Sequence, residues 1–319
     1  MDKIVLDVPV TNENFDEASY LLANPDVALA VKNGERVSGW AHFQDCGHLE
    51  QRRMRMRMRT DLERAKKQKR EKMMDILRID MPFIEKDGCI DFLSDELKNK
   101  FNIVDTHNVS SNQYDGDAQT LIEKYRNGII LDCGAGRRGI YYDNVVNFEI
   151  VAYDTTDVRG VGEQLPFKDD SFDVVFSLAV LEHVKDPFKC AKEIIRVLKP
   201  GGELLCCVPF LQPMHGYPNH YYNMTEQGIR NLFEPEIKII RHEVLPYTYP
   251  IWALTWILRS WADGLHGVAK SEFLDMKVSD LMGNAESYLN RAFVQQLSRE
   301  KNFELACGST ILGTKNPEL

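Results

Sequence analysis

The chain has 319 residues, 44% hydrophobic and 27% charged, which excludes disorder along its whole length. No apolar run reaches the ~20 residues of a membrane span, and MDKIVLDVPV offers no signal-like apolar stretch, so a cytoplasmic protein is expected. The net charge is −9, and the seven cysteines are scattered without a CxxC pair, which points to reduced thiols and not to a disulfide framework.

Asn24-Pro25-Asp26 predicts a helix start, with a capping residue, proline at the first position and an acid in the first turn; Gly34 closes that helix. Ser38 and Gly47 bracket a second short helix holding Trp40 and Phe43. Residues 50–77 contain neither proline nor glycine and predict one long polar helix. Pro82 and Gly88 interrupt it, so residues 1–80 read as a helical N-terminal module with a basic linker helix and 81–319 as the main domain. Between Gln51 and Lys72 stand eleven basic residues against Asp61, Glu63 and Glu71, so this window carries +8 and the rest of the chain −17. No aromatics interleave with the basic residues, so no specific nucleic acid is expected. The reading taken is a solvated helix joining two modules, with weak contact to an anionic membrane surface as the alternative. Through Tyr20, Asn24-Pro25-Asp26-Val27, Gly39 and His42, this stretch resembles a short helical module found beside bacterial glycan-related enzymes; a packing or assembly unit is the reading taken.

From about residue 128, short apolar runs alternate with helical segments. Ile129–Leu131, Val145–Ile150, Phe172–Leu178 and Glu203–Val208 predict strands, and Pro187–Leu198 predicts a helix capped by Asp186 and stopped by Lys199-Pro200-Gly201-Gly202. Such alternation predicts a parallel sheet with crossover helices. Ile237–Leu245 and Leu305–Thr314 are further strand candidates, with a helical insertion at about 247–303 before the last one. In that insertion Trp252, Trp256 and Trp261 lie on a segment too short to span a membrane. Packing over the acceptor pocket or against a second subunit is favoured there over interfacial membrane contact through 251–265.

Leu131-Asp132-Cys133-Gly134-Ala135-Gly136-Arg137-Arg138-Gly139 follows a buried-type strand and fits G-x-G-x-x-G. Glycines serve where backbone turns sharply against a ligand. The pattern suits a dinucleotide enzyme and equally one using S-adenosyl-L-methionine (SAM). Asp132 discriminates: a carboxylate there repels a pyrophosphate but accepts from an ammonium, and Arg137 or Arg138 suits that ligand's carboxylate, unless both are solvated. A second acid at the next strand end should bind ribose hydroxyls. Asp154 has the usual dinucleotide spacing, while Glu149 ends the run Val145–Phe148; the short segment Arg138–Asn144 favours Glu149.

Gly162-Glu163-Gln164-Leu165-Pro166-Phe167-Lys168-Asp169-Asp170-Ser171-Phe172-Asp173-Val174-Val175, Leu178–Val184 with its Leu-Glu-His-Val, and Glu193–Gly202 follow in order. With the glycine loop they resemble a class I SAM-dependent methyltransferase over roughly residues 100–245. The Val208–Gln212 segment adds a likeness to bacterial enzymes of small-molecule and cell-surface glycan pathways. The resemblance implies a Rossmann-like, seven-stranded, mostly parallel sheet with its last strand antiparallel. It implies that Asp132, Gly134, Ala135 and Gly136 bind the methionine end of SAM and Glu149 the ribose. Gly162, Glu163, Gln164 and Leu165 would flank the adenine, and Ser177 and Leu178 the cofactor floor. Relatives often have an aspartate at the position of Val161; Glu163 is the candidate substitute.

A hydroxyl acceptor benefits from a general base, most often histidine. His183 after the fourth strand and His215 and His220 after the fifth fall at the carboxyl ends of the strands. His183 is read chiefly as structural, with Glu182 orienting a loop. The Pro213–Tyr222 loop, rich in Pro, Gly, Asn and Tyr, suits a sugar ring. The sequence names no third ligand for a metal beside His215 and His220, so none is expected. The expectation is therefore transfer of a methyl group to an oxygen of a sugar or glycan precursor. Three alternatives remain: an N-methyltransferase on a small amine or RNA, an NAD-dependent oxidoreductase, and a non-catalytic adaptor. The insertion also leaves room for a homo-oligomer contact.

Overall fold

The computed structural model describes residues 3–56, 60–86, 88–104, 109–111, 113–216 and 219–309. The chain opens with β1 (Lys3–Val5), β2 (Asp7–Pro9), α1 (Glu17–Ala23), α2 (Pro25–Lys32), α3 (Gly39–His42), β3 (Arg53–Arg55) and α4 (Thr60–Met73). Next come β4 (Ile84–Lys86), β5 (Cys89–Asp91), α5 (Asp95–Phe101), α6 (Gly116–Lys124), β6 (Ile130–Cys133), β7 (Ile140–Tyr142), β8 (Val145–Glu149), β9 (Val158–Arg159) and β10 (Phe172–Leu178). Then follow α7 (Pro187–Val197), β11 (Leu198–Cys207), α8 (Glu226–Phe233), α9 (Pro250–Asp263), α10 (Gly267–Leu274), α11 (Val278–Leu281), α12 (Ala292–Gln295) and α13 (Arg299–Leu305).

Seven strands form one sheet in the order β11-β10-β6-β8-β9-β5-β4. All neighbours are parallel except β4 and β5. This is the Rossmann-like, mostly parallel sheet of the class I methyltransferase fold, with different edges from those expected. The antiparallel strand is β4, which precedes the glycine loop. Ile237–Leu245 forms no strand, and α13 occupies the start of the segment expected as the last strand. Positions 310–314 lie outside the described residues.

Apolar side chains bury both faces of the sheet. Met73, Leu77, Ile194, Val197 and Phe233 pack with Leu131, Val146 and Val175 on one face; Ala118 and Ile122 of α6 pack with Ile130, Val145 and Val174 on the other. Asp186 caps α7 by accepting from the Lys189 amide, with Pro187 at the first position. The insertion has a core of its own, where Trp261 stacks on Phe273 at 5.5 Å beside Leu265 and Phe293.

The link from β6 to β8 has no helix. It contains β7, which pairs antiparallel with β1, so the N-terminal module covers what a crossover helix would cover. Leu6 and Leu62 close over Tyr141. The long helix expected over 50–77 starts only at Thr60, because Arg53–Arg55 is taken into a ladder with β2. Within the basic strip, Arg53, Arg64, Lys67 and Lys72 are exposed as a solvated helix would have them, but Arg55 and Lys69 are buried. Arg55 is 1% exposed; it donates to Asp7 Oδ1 at 2.7 Å, to both carboxylate oxygens of Asp154 at 2.8 Å and to the Arg138 carbonyl. Lys69 is buried against Asp157 at 2.9 Å and lies over the Tyr141 ring. Arg57, Met58 and Arg59 lie outside the described residues.

The module's motif residues have packing roles. Tyr20 Oη and His42 Nδ1 share a hydrogen bond of 2.9 Å inside an aromatic cluster with Phe15 and Phe43. Asn24 precedes α2 but gives its side-chain amide to the carbonyls of Tyr20 and Arg53. The Gly39 amide donates to Glu17.

Candidate functional site

The glycine loop turns at the carboxyl end of β6. Gly134 and Gly136 have φ of +87° and +62°, a region in which a side chain is strained. A Cβ on Gly134 would lie 2.4 Å from Val180, and one on Gly136 2.8 Å from the Ser110 carbonyl. The loop amides are already engaged. Gly134 and Ala135 donate to the Phe148 carbonyl, Gly136 to Glu149 Oε2, Arg137 to the Ser110 carbonyl and Arg138 to Thr155 Oγ1. A phosphate needs such amides to be available, so this loop is poorly furnished for a pyrophosphate.

Two carboxylates flank the loop. Asp132 is fully buried. Its Oδ2 accepts from Arg138 Nε and Nη2 at 2.9 and 2.6 Å and from the Tyr114 hydroxyl at 2.5 Å; Oδ1 has no partner among the described residues. Burial pushes the Tyr114 hydroxyl well above its ordinary range, as does the neighbouring Asp132 charge. Burial is the largest single influence and works against the Arg138 charge, but Asp132, Tyr114 and Glu149 together outweigh it and leave that guanidinium raised. Glu149 ends β8. Its oxygens accept from the Gly136 and Ile150 amides at 2.8 Å, and burial moves its carboxyl upward. Asp154, the alternative to Glu149, is engaged by Arg55.

Neither loop arginine is solvated, contrary to one of the two readings of the sequence. Arg138 neutralises Asp132. Arg137 reaches the Leu22 and Ala23 carbonyls at the end of α1, the latter at 3.0 Å, and so locks the N-terminal module onto the loop.

Gly162-Glu163-Gln164 forms a tight turn at the end of the next strand. A Cβ on Gly162 would meet Cys190 Sγ at 2.7 Å, so only glycine lets α7 pack this closely. Val161 belongs to an apolar cluster with Leu93 and Phe101, which explains why no acid stands there. Glu163 is buried and accepts from the Asp186 amide, so its carboxylate faces the start of α7. Glu193 accepts from the Leu165 amide, and Arg196 donates to the Leu165 and Phe167 carbonyls. Much of the motif recognised in the sequence thus serves to hold this turn. Ser177 is fully buried at the end of β10 beside the Cys206 thiol, its polar neighbour across the ladder. Leu178 follows, half-buried.

The three histidines converge. Ring centroids are 5.3 Å apart for His183 and His215, 5.6 Å for His183 and His220, and 4.4 Å for His215 and His220. Trp256 of the insertion lies 5.0 Å from His215, and the Met214 amide donates to the Glu304 carbonyl, so the insertion packs on the histidine-bearing loop. Gly216 has φ +90°, and a Cβ there would sit 2.1 Å from His183 Cε1. Tyr217 and Pro218 lie outside the described residues. Beneath the rings, Glu182 has no exposed surface. Burial lifts its carboxyl to about 7 and lowers the imidazoles of His183 and His215. Sequence reasoning gave Glu182 only a loop-orienting part; its place beside His183 was the available signal. Tyr114 carries no motif that would reveal it, whereas Trp256 stood in the tryptophan-bearing insertion for which packing over this region was one of the two readings.

Residues 133–206 match a family described as a methyltransferase domain. A methyltransferase of uncharacterised role from Mycobacterium avium is 44% identical over 86 residues, covering 25% of this chain and 34% of its own. One from Mycobacterium tuberculosis is 43% identical over 77 residues, covering 23% and 30%. The chain thus spans between 24% and 34% of the length of curated relatives such as these. Among solved structures, a putative methyltransferase from Bacillus halodurans superimposes with a TM-score of 0.32 at 18% identity, covering 55% of this chain and 87% of that one.

Proposed function

We infer, from a chain that carries a methyltransferase domain over residues 133–206, that the protein transfers a methyl group from SAM to an oxygen of a sugar or glycan precursor. SAM supplies an electrophilic sulfonium methyl; the protein must hold it, align an acceptor and exclude water. In this reading Asp132 Oδ1 accepts from the ligand's ammonium. Glu149 accepts from ribose hydroxyls through lone pairs its two amide bonds leave open. Gly134, Ala135 and Gly136 allow close approach, Gly162–Leu165 flank the adenine, and Ser177 and Leu178 form the floor. The observation that carries the cofactor reading is the buried Asp132 Oδ1, left without a partner among the described residues beside a loop whose amides are already engaged: the site offers an acceptor to an ammonium and few donors to a phosphate.

The acceptor reading rests on the histidine cluster. A hydroxyl nucleophile must lose its proton as the new bond forms, and a base near neutral pKa accelerates this by about 10²–10⁴-fold. His183 and His215 are the side chains that present an acceptor nitrogen there, while His220 holds the loop. The exposed rings of Trp256 and Tyr222 offer faces for a sugar ring. We place the protein in the cytoplasm, where its seven free thiols stay reduced.

Transfer of labelled methyl from SAM to a panel of sugar nucleotides, oligosaccharides and amines tests this. An O-methylated sugar product is expected, with His215→Ala lowering kcat at least ~100-fold and leaving S-adenosylhomocysteine affinity unchanged. Methylation of amines alone would overturn the oxygen assignment.

A further inference from the structure

We propose that Glu182, His183 and His215 bind one divalent transition-metal ion of the zinc type at the carboxyl end of the sheet. Their ligand atoms all lie within 4.8 Å of one another, and His183 Nε2 is 3.8 Å from Glu182 Oε1. Bonds of 2.0–2.2 Å in tetrahedral array place ligand atoms roughly 3.4 Å apart, so a modest contraction completes the set.

Three further observations carry the assignment. Glu182 is fully buried, and neither carboxylate oxygen has a hydrogen-bond partner among the described residues. A carboxylate held so is unfavourable unless it pairs or coordinates. Second, both imidazoles are set in the ligating tautomer. His183 Nδ1 lies 2.7 Å from the Asn219 carbonyl and His215 Nδ1 2.8 Å from the Pro213 carbonyl. A carbonyl only accepts, so each Nδ1 carries the proton and each Nε2 presents its lone pair. Such a backbone partner is the usual way a ligating histidine is oriented. Third, the neighbouring histidine has a different part. His220 Nδ1 accepts from the His215 amide at 3.0 Å, and its Nε2 lies 2.9 Å from Asn223 Oδ1. With both nitrogens engaged, His220 is a positioning residue that holds the His215 backbone.

Two imidazoles and one carboxylate suit Zn²⁺ and its neighbours better than Mg²⁺ or Ca²⁺, which prefer all-oxygen sets. Three protein ligands leave a further position for an oxygen. With the ion bound, both Nε2 lone pairs are ligands and the ion replaces the histidines as the means of activation: it lowers the pKa of an oxygen bound to it, so an acceptor hydroxyl placed there would release its proton to solvent. This catalytic consequence rests on the methyltransferase reading; metal binding itself does not. His42, Cys46 and Glu50 also converge, but Tyr20 engages His42 and Arg52 engages Glu50.

The test is a Co²⁺ titration of the chelator-stripped full chain, followed by visible ligand-field absorption and elemental analysis. One Co²⁺ per chain is expected, displaced by Zn²⁺ and without a thiolate-to-cobalt charge-transfer band. Glu182→Gln and His215→Ala should each weaken binding at least tenfold, with Cys46→Ser unchanged. Circular dichroism reports which variants fold; if Glu182→Gln does not, His183→Gln and His215→Ala carry the test. S-adenosylhomocysteine affinity, read on the same samples, separates failure of the metal site from failure of the cofactor reading. Absence of saturable one-to-one binding, or binding that survives in the ligand variants or disappears in Cys46→Ser, overturns the proposal.

Discussion

At the scale of single residues, buried charges decide how the basic strip behaves. Burial pushes the Lys69 ammonium down to about 8 from its ordinary 10.5. Between those values the unfolded chain holds a proton that the folded chain has released. This group therefore adds stability as pH rises from about 8 to about 10.5 and adds no slope below that window. Lys69→Met should remove that part of the pH dependence, measured as urea midpoints across the interval. Arg55→Met should be harsher, because Asp7 stays buried without its cation; a loss of about 3–5 kcal/mol is expected in urea unfolding. Gly216→Ala should cost about 1–3 kcal/mol, since the new methyl collides with His183. The basic strip was visible as a charge count, but the two of its residues that form internal ion pairs, Arg55 and Lys69, were not. Periodicity cannot reveal that Arg55 meets Asp154 across ninety-nine positions, because the pairing depends on where two remote strands lie.

At the scale of elements, the central strands and α7 were legible because apolar runs, the Asp186 cap and the Lys199–Gly202 stop are local signals. The short link Arg138–Asn144 also favoured Glu149 as the acid at the end of β8, which is where that strand ends. The sheet edges were not legible. β4 and β5 have three residues each, too few to show alternation, and their pairing is nonlocal. Ile237–Leu245 has the composition of a strand but finds no partner there. β7 is similar: as a three-residue strand it depends on β1 for its ladder. That dependence makes a prediction. Removing residues 1–58 takes β1 and Leu6 from beside β7 and Tyr141, leaves Arg137 without the Leu22 and Ala23 carbonyls, and removes the Arg55 anchor of Asp154. The truncated chain should lose its cooperative melting transition in calorimetry, or melt far below the full chain. An unchanged melting temperature would show that the module is independent of the sheet.

For the whole molecule, the N-terminal module and the glycine loop act as one structural body, and the insertion packs on the histidine cluster through Trp256 and on its loop through Met214. One end of the sheet's carboxyl edge joins Asp132 and Glu149, the proposed cofactor side; the other joins Glu182 and three histidines, the proposed acceptor side. Of the first group, the glycine loop and its acids stood out in sequence because they are clustered. Of the second, the histidines were visible but their convergence was not, since it needs the Gly216 turn to bring residue 215 back onto residue 183.

The central claim is that the loop after β6 serves SAM and not a dinucleotide. Isothermal titration of the purified full chain with S-adenosylhomocysteine, NAD and NADP tests it most directly. The account predicts saturable one-to-one binding of S-adenosylhomocysteine alone, weakened at least tenfold in Glu149→Gln and in Asp132→Asn. Saturable binding of NAD or NADP with none of S-adenosylhomocysteine would contradict it.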